Sequence, residues 1–124
     1  MDASTQATTV QIDIVSDVVC PWCVVGYLQL REALAMLSED VVGQVRWHPF
    51  ELNPQMPAQG QDLREHLAAK YGASESRGTA VRERLVSAGE ALGFRFDYFE
   101  GMRMVNTFRA HQLLHWAQAQ GLQT

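Results

Sequence analysis

Cysteine is scarce in this chain of 124 residues: there are two, Cys20 and Cys23. A structural zinc site takes about four ligands, usually a second Cys pair or a Cys/His pair at short spacing, and no further cysteine exists to supply one. A purely structural bridge across two intervening residues restrains almost no unfolded chain, because loop-closure entropy grows with loop length. Long apolar runs are also missing, none approaching the ~20 residues of a membrane span. Met1 to Thr9 are polar, with no positive n-region and no apolar h-region, so the expectation is a cytoplasmic protein without a membrane partner. There is no basic cluster. Ten basic against fourteen acidic residues give a net charge of −4, which disfavours nucleic acid or an anionic surface as the principal partner. Internal repeats and low-complexity tracts are absent from the sequence.

What is present is concentrated at one point. The two cysteines enclose Pro21 and Trp22, and this Cys-Pro-Trp-Cys follows a short apolar segment and opens a helical pattern. Pro21 suits the first helical turn, where its missing N–H costs nothing. Exposed amides and the dipole at a helix start stabilise a thiolate, so Cys20 is expected to titrate below the ordinary thiol value of about 8.5 and to act as a nucleophile. Cys23, one turn deeper, is the expected resolving thiol. In a reducing compartment a lone Cys-x-x-Cys is more often catalytic or metal-binding than structural, and with the zinc ligands lacking, a catalytic dithiol is the reading adopted. No metal and no cofactor are expected.

At 47% hydrophobic residues the chain can bury one core. Val10, Ile12 and Ile14 alternate with Gln11 and Asp13, the period of a strand. From Pro21 to about Leu37, Val24, Tyr27, Leu28, Leu30, Ala33, Leu34 and Leu37 recur at helical spacing, with Gly43 marking a turn beyond. A second strand is predicted over Gln44 to Phe50. Strand, helix and strand within about forty residues make a βαβ unit with parallel strands and a right-handed crossover. Glu51 to Gly60, with Pro54, Pro57, Asn53 and Gly60, reads as a loop. Helices are predicted over Asp62 to Tyr71, ending at Gly72, and over Ser74 to Leu92, ending at Gly93, with Ser74 and Ser76 as caps. Phe94 to Phe96 alternates but is too short for a strand assignment. A last helix is predicted from near Asn106 to about Gln120, burying Phe108, Leu113, Leu114 and Ala117.

With that order and motif, the chain resembles the DsbA-like thioredoxin family in its cytosolic, FrnE-like branch. The matching residues are Asp17-Val18-Val19-Cys20-Pro21-Trp22-Cys23 with Gly26, then Trp47-His48-Pro49-Phe50-Glu51-Leu52-Asn53-Pro54, and Asn106-Thr107-Phe108-Arg109-Ala110-His111. The resemblance implies an α/β chain: residues 1–56 as the N-terminal half of a thioredoxin-like domain and 57–124 as an all-helical insertion over the active site. It also implies thiol-disulfide oxidoreductase activity on protein or peptide dithiols and disulfides, with glutathione as a small-thiol partner. Family members continue with a cis-proline loop, further strands and a closing helix. Here the C-terminal strands are missing, so the chain reads as truncated after the insertion, or as a homodimer in which a second copy supplies the missing surface. Two other functions stay open. One is a glutathione-binding isomerase or transferase of the hydroxychromene-carboxylate-isomerase or kappa-class type, where a serine typically replaces the first cysteine; the other is a non-enzymatic oligomerising or binding fragment.

Asp17 is a candidate supporting residue, as a proton acceptor, a cap of the active helix, or a plain solvated loop acid. His111 and His115 are four apart on one helix, a metal-ligand spacing with no third ligand evident, so packed or exposed histidines are the default. For His48 a satisfied strand histidine is the default, with a place in the sheet near the dithiol as the alternative. Met56, Met102 and Met104 with Phe94, Phe96 and Phe99 form either core or a hydrophobic substrate groove.

Overall fold

Alternation of β-branched residues carries the first strand further than its apolar centre requires. In the computed structural model, which describes residues 6–72 and 74–124, β1 runs Thr8–Ser16. It pairs in parallel with β2, Val41–Pro49, in register from Thr8 opposite Val41 to Ser16 opposite Pro49. The helix α1, Pro21–Met36, crosses between them and buries Val25 and Leu28. The predicted turn at Gly43 is a correction: this glycine lies inside β2, opposite Val10. Its role is close approach, since a Cβ there would come within 2.6 Å of the Leu34 side chain of α1.

The loop after β2 leads to a ladder that the sequence did not signal: β3, Gln61–Asp62, pairs antiparallel with β4, Arg103–Met104. Two-residue strands have no periodicity to read. The helix α2, Leu63–Tyr71, starts where the Asp62 carboxylate accepts the Glu65 N–H at 3.1 Å and stops at Gly72 in the left-handed region, φ 60°. The helix α3, Glu75–Ala91, is capped by Ser74, whose hydroxyl accepts the Arg77 N–H at 3.3 Å. Gly89 inside α3 is required by packing, because a Cβ there would come within 2.7 Å of the Phe96 ring. Phe94 to Phe96 form no strand; Phe94 and Phe96 meet edge to face at 4.9 Å.

The last helix, α4, runs Phe108–Ala119. The predicted start at Asn106 is two residues early: Asn106 accepts the Phe108 N–H at 3.0 Å and donates to the Met56 carbonyl at 2.8 Å, so it holds the helix from outside. The predicted buried face is also corrected. Ala117 is buried as predicted, but Phe108 and Leu113 are 54% and 63% exposed, Leu114 is half-buried, and His111 takes the other buried position on α4. The helix presents the face bearing a polar anchor, and its largest apolar side chains stay outside.

The architecture is therefore mixed α/β, a βαβ start followed by a helical region. Among the described residues the buried apolar ones are Val25, Leu28, Met56, Leu85 and Ala117. The accessible surface is 9084 Å², against roughly 6,700 Å² for a compact monomer of this mass. Apolar faces around Val15, Trp22, Phe50, Phe108 and Trp116 account for part of the excess. Among the described residues no helix is long and apolar enough to cross a membrane.

Candidate active site

The start of α1 positions the dithiol. Cys20 is the N-cap residue in extended conformation and Pro21 occupies the first turn. The Cys20 carbonyl accepts the Cys23 and Val24 N–H groups at 3.2 and 3.4 Å, which closes the first turn under the second sulfur. Both cysteines are free thiols and both are half-buried. Trp22 between them is 48% exposed. An open cleft of about 340 Å³ runs beside the pair, walled by Val24 and Tyr27 of α1, Trp47 and Pro49 of β2, and Leu114 of α4. Tyr27 and Trp47 pack edge to face at 5.0 Å, which fixes one wall. The tail closes another: Gln123 takes the Trp47 N–H at 2.9 Å and donates to the Trp47 carbonyl at 3.1 Å, while Trp47 Nε1 donates to Thr124 Oγ1 at 2.9 Å.

The electrostatics at Cys20 differ from expectation. Burial pushes its thiol above the ordinary value, and the side-chain hydrogen bond with Cys23 adds to this. The amides of Cys23 and Trp22 act on the sulfur in the expected, lowering direction, but less strongly. Helix-start placement alone does not make this cysteine acidic, because its desolvation opposes the charge.

Asp17 is neither a solvated loop acid nor a cap of α1. It is 3% exposed. Its Oδ2 accepts the Leu52 N–H at 2.8 Å, and its Oδ1 lies 3.1 Å from His111 Nε2. His48 does lie in the sheet beside the cleft, with Nε2 2.8 Å from Asp13 Oδ1. His115 lines the same cleft, and no group of three metal-ligating side chains forms among the described residues. Of the two readings of the methionines and phenylalanines, the substrate groove does not form at the dithiol. Met56 belongs to the core, Phe94 and Phe99 are exposed, and none of the six lines the cleft. Sequence reasoning left His111 among packed or exposed histidines. Its position three before Leu114 and six before Ala117, on the face that turns inward, was the available signal.

A βαβ unit whose crossover helix opens on a Cys-x-x-Cys has the architecture of a thioredoxin-type protein. Residues 11–124 match the family model described as DSBA-like thioredoxin domain, and the chain belongs to that family. The crystal structure of a probable DsbA oxidoreductase, SCO1869, from Streptomyces coelicolor superposes with a TM-score of 0.80 at 33% identity, over 90% of this chain and 47% of that one. The uncharacterized protein YwbO of Bacillus subtilis (strain 168) is 48% identical over 46 residues, which make up 37% of this chain and 21% of that protein. The chain thus spans about half the length of the solved relative.

Proposed function

We propose that the chain is a thiol-disulfide oxidoreductase acting on protein or peptide disulfides through Cys20 and Cys23. The observation that carries this reading is the dithiol at the start of α1, with both cysteines half-buried beside a mostly apolar cleft that they line. The Cys20 thiolate attacks one sulfur of a substrate disulfide, forming a mixed disulfide and expelling the other substrate sulfur as a thiolate. Cys23, deprotonated, then attacks Cys20 Sγ, closes the Cys20–Cys23 bond and releases the second substrate thiol. Two electrons pass to the substrate, and an external dithiol or a small thiol such as glutathione returns them. Burial raises the Cys20 thiol and so opposes thiolate formation. Pro21 and Trp22 support the site, one by starting the helix and the other as an exposed apolar contact beside the sulfurs.

The test is insulin disulfide reduction driven by dithiothreitol. Cys20→Ser is expected to abolish turnover, and Cys23→Ser to accumulate mixed disulfides with the substrate. Trapping by the Cys20 variant alone reverses the roles, and activity retained by both variants sinks the reading.

We further propose a second copy of the chain as a partner. Among the described residues β1 pairs with β2 alone, and large apolar side chains, Val15, Phe50 and Trp116 among them, stay exposed where a partner would cover them. Melting temperature should then rise with protein concentration. A concentration-independent melt of a monomer in sedimentation equilibrium rules this out.

A further inference from the structure

We propose that the outer edge of β2 at Trp47 docks an extended stretch of substrate peptide, and that the Gln123 side-chain amide holds that edge in the free protein until the peptide displaces it. The substrate class rests on the thiol-exchange reading, whereas the docking is measurable without any exchange step.

The alternation of β2 decides which main-chain groups face outward. At its two ends, the Thr8 N–H donates to the Asp40 carbonyl at 2.8 Å and the Phe50 N–H to the Ser16 carbonyl at 3.1 Å. The even-numbered positions therefore turn toward β1, and Gly43, Val45 and Trp47 turn their N–H and C=O groups to the other side. Among the described residues β1 is the one strand paired with β2. Pro49 falls at the next outward position, where its missing N–H costs no ladder bond. Trp47 thus carries the last outward N–H of β2.

Gln123 meets Trp47 as a residue of a partner strand would. Its Oε1 accepts the Trp47 N–H at 2.9 Å and its Nε2 donates to the Trp47 carbonyl at 3.1 Å and to the Leu114 carbonyl at 3.3 Å. Exchanging both bonds with one residue is the pattern of an antiparallel hydrogen-bonded pair, so a peptide group fits where the amide sits. The end of α4 delivers it there. The Gly121 N–H donates to the Gln118 carbonyl at 3.1 Å and the Leu122 N–H to the Ala117 carbonyl at 2.9 Å, a helix stop that needs Gly121 in the left-handed region, φ 71°. Trp47 and Gln123 line the same cleft as Cys20 and Cys23. A peptide running antiparallel to β2 would replace the amide's two bonds to Trp47 like for like and extend the pairing to Val45 and Gly43. Main-chain pairing accepts many side chains, which suits a partner defined by its disulfide. The amide's own hold on the edge lowers the apparent affinity by the fraction of time that it occupies Trp47.

The probe is the insulin B chain with its cysteines carboxamidomethylated, which can bind but cannot exchange. Titration calorimetry with the full chain reads binding, and amide hydrogen exchange reads pairing at Trp47, with the β1-bonded Phe50 amide as control. In Gln123→Ala the Trp47 amide should exchange fast while Phe50 stays protected, and the B chain should bind about threefold to tenfold more tightly than to wild type. Bound peptide should restore protection at Trp47. Gln123→Glu, which keeps the length but cannot donate to the Trp47 carbonyl, should act in the same direction and serves where the alanine variant does not fold. Binding that is unchanged or weaker in the folded variant overturns the proposal, as does bound peptide that leaves Trp47 unprotected. Protection at Trp47 that returns in the peptide-free variant as protein concentration rises assigns the edge to a second copy and overturns it too. Docking at Trp47 by a chain that cannot reduce insulin leaves this inference standing and sinks the proposed function; insulin reduction without docking there does the reverse.

Discussion

Two carboxylate–imidazole pairs lie four residues apart at one end of β1, and they differ in almost everything except chemistry. Asp13 and His48 meet at 2.8 Å with side chains 48% and 42% exposed; Asp17 and His111 meet at 3.1 Å with side chains 1% and 9% exposed. The shorter contact is the weaker constraint. Water competes for both members of the exposed pair, and holding two side chains in one geometry costs rotamer entropy, so such pairs contribute little to stability. Losing one member of the buried pair strands the other without solvent. Contact distance says less about the importance of a pair than what would replace it.

Removing the two carboxylates in turn should break the comparison most visibly. Asp17→Ala leaves the His111 imidazole and the Leu52 amide buried without their partner, and is expected to cost about 2–4 kcal/mol in urea unfolding. Asp13→Ala should leave the midpoint unchanged at moderate salt. Equal losses from the two variants would mean that burial does not separate the pairs.

A third histidine sharpens the contrast by having a neutral partner. His66 is buried, and its Nδ1 donates to Gln61 Oε1 at 3.0 Å. Burial holds its pKa below the ordinary imidazole value, and the Lys70 charge adds to this. The native state thus keeps His66 neutral while the unfolded chain takes up a proton first as pH falls. Its contribution is complete above the unfolded value, near 6.5, and is lost as pH drops through the folded one. In chemical unfolding measured between about pH 7.5 and 5, His66→Gln should flatten the acid-side decline, an effect smaller than that of Asp17→Ala. An unchanged slope would show that another group carries the decline.

Much of the backbone was legible from local signals. The alternation around Ile12, the helical run from Pro21, the Ser74 cap and the Gly72 stop each specify an element through interactions within a few residues, and those elements form where expected. The failures share one physical character. Gly43 reads as a turn because glycine usually marks one, yet it stands in β2 so that Leu34, nine residues back, can approach. Phe108 and Leu113 read as buried because apolar side chains on a helix normally face inward, yet α4 is oriented by His111 and by Asn106.

By itself the sequence determined the dithiol, its place at a helix start and the βαβ order that presents it, because these rest on neighbouring residues and on the period of each element. Only the tertiary structure decided the environment of that dithiol. The Asp17–His111 tie joins residues 94 apart, and the burial that raises Cys20 against the pull of the helix amides comes from elements packed around it. Desolvation and long-range hydrogen bonding depend on what else occupies the surrounding space, which no local pattern encodes.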